Sequence, residues 1–207
     1  MNCSGCPQHS QQDIRRLSRR TILKSVIGAA GLSLQLTESA SGAEKKKKKD
    51  DPRKIRPQAG DELVYPFWEK DGRMITLEDI PLGGPPVLVY PRDPETQVAR
   101  DRSRLNQILL VRFAPEELSQ KTQELAVEGI IAYSGVCTHT GCTISEWDTE
   151  KKHFTCPCHS SAFDPKERAQ IQGGPAPKPL PALPLQLTEG KLTVAGPFTG
   201  KVGGKKK

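Results

Sequence analysis

The sequence predicts a mainly β domain, and three observations lead there. From Asp61 onward the apolar residues fall in short runs bounded by Gly and Pro rather than in long helical stripes. A single stretch carries a convincing helix start. Once a charged, low-complexity N-terminal quarter is set aside, about 145 of the 207 residues remain to fold, the size of one core.

Candidate strands run over 62–66, 86–90, 107–113, 129–136, 153–155, 183–188 and 191–194. Most are short apolar runs bounded by turn formers. The last two flank Glu189-Gly190, a two-residue connection whose Gly accepts positive φ at low cost, so a hairpin is expected there. The helix is expected from Pro115 to about Ala126: Pro115 suits a first helical position, Glu116 and Glu117 suit its positive end, and Gly129 can end it. No internal repeat is present.

The formal charge of +7, from 31 Lys plus Arg against 24 Asp plus Glu, suggests nucleic acid or an acidic surface as a partner until it is located. Residues 1–51 contribute +5 and Lys205–Lys207 contribute +3, leaving residues 52–204 at −1. The basic character belongs to the ends. Aromatics make up 5%, too few for a stacking platform, and no helix-turn-helix or zinc-finger spacing occurs, so nucleic-acid binding is set aside.

Ser18-Arg19-Arg20-Thr21-Ile22-Leu23-Lys24 resembles the twin-arginine export signature, with Ile22 where Phe is usual. An apolar stretch follows, Ser25 to Leu36, shorter than the roughly 20 residues that span a bilayer and matched to a signal core. Ser41-Gly42-Ala43 offers small residues for cleavage before Glu44; the other reading is an uncleaved anchor. The expected place is therefore periplasmic, soluble or tethered to the outer face of the cytoplasmic membrane. The resemblance also implies export of a folded protein already carrying its cofactor. Cys3 and Cys6 have redox or metal spacing, but no strand-and-helix pattern surrounds them, and they and His9 lie where cleavage would discard them. The organisation expected is a signal or anchor at 1–43, a charged linker at 44–60 with five consecutive lysines, a domain at 61–200, and a frayed basic tail at 201–207.

The remaining Cys and all but two of the His residues are concentrated in two runs, Cys137-Thr-His139-Thr-Gly-Cys142 and Cys156-Pro-Cys158-His159-Ser-Ser161-Ala-Phe163. Two Cys and two His could hold structural zinc, but the spacing differs from the common zinc patterns and leaves two cysteines without purpose. A pure disulfide scaffold leaves the histidines without purpose, in a body large enough not to need stapling.

The double motif closely resembles the ligand signature of Rieske iron-sulfur proteins of the cytochrome bc and arsenite-oxidase small-subunit type, over residues 130–178. The resemblance implies a Rieske-type antiparallel β-sandwich base with a small cluster-binding subdomain, about 131–178, and one helix. It implies one 2Fe-2S cluster per chain, with Cys137 and Cys156 on one iron and His139 and His159 on the other, an arrangement with potentials of roughly −150 to +300 mV. It also implies a disulfide between Cys142 and Cys158; by counting alone, four cysteines allow three pairings. Ser161 matches a family serine that bonds a bridging sulfide. Phe163 stands where quinol-oxidising members carry a Tyr whose hydroxyl bonds a cysteine sulfur, which implies a lower potential here. Gly174-Pro175-Ala176-Pro177 resembles the proline loop that shields the cluster.

Two partner assignments follow from the resemblance. Quinol-oxidising relatives usually have Leu at Thr140, and Ile131-Ala-Tyr133-Ser134 together with Phe163 resembles the arsenite-oxidase subunit, whereas the proline loop resembles the cytochrome bc subunit. The chain is therefore expected to carry electrons in a quinol-cytochrome c reductase-like complex with a c-type cytochrome acceptor, or alternatively as the small subunit of a periplasmic molybdenum oxidoreductase. A Rieske oxygenase is excluded by counting: its second metal needs two more His and a carboxylate, and after His139 and His159 the body has only His153.

Overall fold

The structure, a computed structural model, describes residues 51–204. The twin-arginine-like segment, Cys3, Cys6, His9, Lys45–Lys49 and Lys205–Lys207 lie outside the described residues. The described chain forms strands β1 (Glu62–Val64), β2 (Val87–Arg92), β3 (Ile108–Arg112), β4 (Ile130–Ser134), β5 (Glu146–Asp148), β6 (His153–Thr155), β7 (Ala162–Asp164), β8 (Gln170–Gly173), β9 (Ala182–Leu183), β10 (Leu185–Thr188) and β11 (Lys191–Val194), with one-turn helices α1 (Phe67–Lys70) and α2 (Gln120–Gln123). The protein is mainly β, as its sequence predicts. None of the described helices is long and apolar enough to cross a membrane.

Seven strands form one antiparallel sheet in the order β10-β11-β1-β2-β3-β4-β9, and four form a second, β5-β6-β7-β8. The outermost strands of the larger sheet, β9 and β10, are separated in the chain by Pro184 alone, so the sheet curls until its ends nearly meet. Pro184 has no N–H to pair, which divides the single strand expected at 183–188 in two. The β10–β11 hairpin pairs Thr188 with Lys191 across Glu189-Gly190, both at positive φ, the twist that matches two antiparallel strands.

Strands β3 and β4 are central because both of their faces are buried. Their apolar runs are continuous rather than alternating, and successive side chains divide between two cores. Ile108, Leu110, Ile130 and Ala132 face the inside of the curled sheet with Leu63, Val89, Leu192 and Val194. Leu109, Val111, Ile131 and Tyr133 face the other way, onto Phe154, Phe163, Ile144 and the two free cysteines. One pair of strands thus serves as the wall of the base and as the floor of the smaller sheet.

Two expectations change. The helix expected from Pro115 to Ala126 is broken: a 3-10 turn at Pro115–Glu117 gives way to extended Leu118, whose side chain is buried, before Ser119 starts α2. Burying Leu118 outweighs continuing the helix, and the Gln123 side chain donates to the Pro115 and Leu118 carbonyls that the break leaves free. The linker expected to run to residue 60 is packed onto the body over its last ten residues: Arg53 pairs with Asp101, Pro57 is buried, and Asn106, itself fully buried, donates to the Ile55 carbonyl.

Candidate metal centre

Two loops of the same design bring the Cys and His residues together. In the first, after β4, the Cys137 N–H donates to the Cys142 carbonyl (2.8 Å) and the Gly141 N–H to the Cys137 carbonyl (3.0 Å). In the second, between β6 and β7, the Cys156 N–H donates to the Ser161 carbonyl (2.9 Å) and the Ser160 N–H to the Cys156 carbonyl (2.9 Å). Each is a six-residue turn whose fifth residue is left-handed, Gly141 at φ 81° and Ser160 at φ 53°. Each begins with a buried free cysteine. The repeat of backbone geometry is invisible in the sequence because the left-handed position is Gly in one loop and Ser in the other.

Cys142 and Cys158 form a disulfide that ties the two loops together (Cα–Cα 6.6 Å). The Cys142, Cys156 and Cys158 sulfurs lie within 4.8 Å of one another, but with the bridge formed this trio offers one thiol, so it is no metal site by itself. Among the described residues, the free thiols are those of Cys137 and Cys156, each 1% exposed. Burial pushes the Cys137 thiol up, against the pull of the His139 backbone N–H. Such a site disfavours a bare thiolate and favours one whose charge is offset by a metal.

The His139 and His159 rings meet edge to face with centroids 4.7 Å apart. His159 is exposed and His139 half-buried. Among the described residues, two buried side-chain polar atoms lack a hydrogen-bond partner: His139 Nδ1 and Ser161 Oγ. Ser161 is fully buried, near enough to Cys137 to draw its thiol down slightly, yet without the geometry of a hydrogen bond. An unpaired buried polar group costs about 1–3 kcal/mol, so two in one place mark a site built for something else. Two buried thiols, two imidazoles and these atoms suit a thiolate- and imidazole-bound cluster.

Phe163, on β7, is fully buried and pairs across the sheet with Phe154, which also meets Tyr133 (5.9 Å) and Trp147 (5.6 Å). This aromatic wall closes the floor below the loops. The Tyr133 hydroxyl donates to the Pro165 carbonyl (2.8 Å), and burial pushes its pKa up. Gly174 must be glycine: it has φ 78°, and a Cβ there would come within 2.5 Å of the Ser161 Cα. Pro175 follows it on the surface, and Ala176 is buried in the core under the loops. Thr138 bonds the Lys178 carbonyl (2.6 Å), so the Gly174–Lys178 segment is packed against both loops. Thr140 is exposed beside the disulfide. His153, on β6, lies 3.7 Å from Asp164 on β7 and takes no part in the centre.

One contact has no sequence signal. Gly204, expected in a frayed tail, lies so close to the first loop that a Cβ would stand 2.0 Å from the His139 carbonyl oxygen, and Val202 before it is buried.

A β scaffold presenting two thiols and two imidazoles on a pair of bridged loops defines an iron-sulfur electron carrier. The Rieske [2Fe-2S] domain model matches residues 83–184. A cytochrome bc1 complex Rieske iron-sulfur subunit of Streptomyces lividans is 33% identical over 166 residues, covering 73% of this chain and 95% of that one. The chain belongs to the Rieske iron-sulfur family, its cofactor is a 2Fe-2S cluster, and its role is electron transfer. The corresponding subunit of Streptomyces coelicolor is also 33% identical, with 46% of its length covered. A Haloferax mediterranei protein named as a respiratory nitrate reductase subunit Rieske is 44% identical over 97 residues, 46% of this chain and 43% of that one. The chain therefore spans less than half of these last two relatives.

Proposed function

We propose that Cys137 and Cys156 hold one iron of the cluster and His139 and His159 the other, and that the chain is the electron-transfer subunit of an exported respiratory complex. The observation that carries this is the pair of orphaned buried atoms, His139 Nδ1 and Ser161 Oγ, on the two loops that each begin with a free buried thiol. When bound, the cluster supplies a one-electron couple whose potential is raised by imidazole ligation. The rest is the work of the chain. Ser161 offers its hydroxyl to a sulfur acceptor, and Phe154 and Phe163 keep water from the buried side. The Cys142–Cys158 bridge holds the two loops in one geometry, while the exposed His159 marks the face on which a partner approaches.

For the donor and acceptor, the cytochrome bc1-like assignment, from quinol to a c-type cytochrome, has the support of the Streptomyces lividans relative, most of whose length is matched. The molybdenum-enzyme assignment draws on Phe163 and Thr140 and on the Haloferax mediterranei relative. The twin-arginine-like segment supports a place on the outer face of the cytoplasmic membrane, tethered or released. The reduced protein should show a Rieske-type electron paramagnetic resonance spectrum; a spectrum of an all-cysteine cluster, or none, overturns the ligand assignment. Native complex purified through this subunit should contain b and c haems; molybdenum in their place selects the second assignment.

A further inference from the structure

We infer that the C-terminal segment Thr199–Gly204 forms a cationic docking ledge beside the first ligand loop and that it receives the acidic face of a redox-protein partner. The inference rests on the reading of the chain as an electron carrier and specifies one of its partners. Two grooves share Lys201. One, of about 620 Å³, runs between Arg104, Lys201 and the loop residues Thr140 and Gly141. The other, of about 340 Å³, carries Arg168, Lys178 and Lys201 on its walls. Among the described residues, no carboxylate lines either groove. Glu167 precedes Arg168 on the adjoining turn without lining them. Elsewhere the cavities mix signs: Arg53 and Arg92 with Asp71 and Asp101 in one, Arg112 with Glu116 and Glu128 in another. In a body of charge −1 over residues 52–204, a band of four cations with no carboxylate among the described residues lining its grooves is a local feature, not a reflection of net charge.

The placement says what the band is for. Thr140 and Gly141 directly follow His139, Gly204 is seated on the His139 carbonyl, and the Thr138 hydroxyl bonds the Lys178 carbonyl. Whatever docks on the ledge is held against the ligand loop. Among the described residues, no aromatic side chain lines either groove, so their walls offer no surface on which bases could stack. The exposed aromatic pair a membrane surface would want, Phe67 and Trp68, stands on α1 of the base, and Phe67 lines the mixed-charge cavity there. Charge complementarity at such a rim acts mainly on association rate and its salt dependence.

The test uses full-length holoprotein, reduced and mixed by stopped flow with a basic c-type cytochrome and with the same cytochrome made acidic by succinylating its lysines. The acidic form should be reduced faster, by about tenfold, and the advantage should fade from about 0.01 M to 0.15 M salt as the Debye length shrinks from about 30 Å to about 8 Å. Because succinylation also changes the cytochrome's own potential, the deciding quantity is the rate ratio between native protein and the Arg104→Glu/Lys201→Glu variant, with the cluster potential measured for each. That variant should lose about tenfold with the acidic form and gain with the basic one; Lys178→Glu, also exposed, should move the ratio the same way. An unchanged ratio in variants that keep the Rieske signal overturns the ledge and leaves the electron-carrier reading standing, whereas absence of that signal in the native protein overturns the reading itself. Binding to anionic phospholipid vesicles that the variants abolish, with cytochrome rates unmoved, replaces the protein partner by a membrane and overturns the proposal.

Discussion

The two faces of β3 and β4 hold two kinds of core. On the inner face, aliphatic side chains from all seven strands of the larger sheet pack against one another, with Val89, Ile108, Leu110 and Ile130 fully buried. On the outer face the core is aromatic and sulfurous: Tyr133, Phe154, Phe163, Cys137 and Cys156 underlie loops held by a disulfide, by backbone bonds in tight turns and by glycines at close approach. Each aliphatic side chain of the inner core contributes about 1.5–3 kcal/mol by leaving water, so loss of one is shared among many neighbours. The outer region has short strands and unpaired polar atoms. Stability is concentrated in the base and chemistry in the region packed on it.

The largest test of that division removes a proposed ligand. Cys137→Ser should abolish the Rieske spectrum completely while leaving the far-ultraviolet dichroism of the base. Hydrogen exchange should quicken in β5 to β8 and stay slow in β1 to β3. Equal loss of protection in both regions would show that the base depends on the cluster as much as the loops do. Next in size is the bridge. Replacing both Cys142 and Cys158 by Ser opens a loop of sequence separation 16 and should cost about 3 kcal/mol in chemical denaturation of the oxidised protein. Cluster occupancy should fall with it, since the two loops are no longer tied.

Phe163→Tyr asks a finer question of the same region. A hydroxyl that reaches a ligand sulfur stabilises the reduced, more negative state. One bond worth about 1 kcal/mol corresponds to about 40 mV for a single electron, so voltammetry should show an upward shift of that order. Phe163 has no exposed surface, and a hydroxyl that finds no acceptor would lower stability with no rise in potential. That outcome would assign the position to packing alone.

The division also explains what could be read from the sequence. The inner core was legible because β3 and β4 are unbroken apolar runs, and the β10–β11 hairpin because Glu189-Gly190 suits its turn. Strands β5, β7 and β8 escaped because they have only three or four residues, and β5 (Glu146-Trp-Asp148) and β8 (Gln170-Ile-Gln-Gly173) are largely polar besides. Pro115 and its two glutamates gave a true helix-start signal, but the burial of Leu118 is a tertiary fact that no local pattern carries. In the loops, residue chemistry drew attention to the Cys and His positions. The seating of Gly204 on His139 and the Thr138–Lys178 bond join distant parts of the chain, and nothing in their local sequence announces them.

The smallest expected effect lies in the base and should leave the cluster untouched. Asp79 ends the 3-10 turn Leu77–Asp79 between α1 and β2, where its carboxylate accepts the Thr76 N–H (2.9 Å) and hydroxyl (3.0 Å) and pairs with Arg73. Partial burial works against its ionisation, but the bonds from Arg73 and Thr76 outweigh it and hold the pKa down to about 2, against an ordinary 3.8. A folded-state value below the unfolded one stabilises the fold above the unfolded pKa, and the contribution disappears as pH falls from about 4 towards 2. The Arg73 side chain is 48% exposed, so solvent screening reduces the gain to about 1 kcal/mol. Asp79→Asn should therefore lower stability by that amount near pH 7 and hardly at all near pH 2, flattening the acid limb of the stability curve. Urea denaturation at the two pH values measures the difference, and the Rieske spectrum recorded alongside should not move. A change in that spectrum would couple the edge of the base to the ligand loops and break the separation between the two cores.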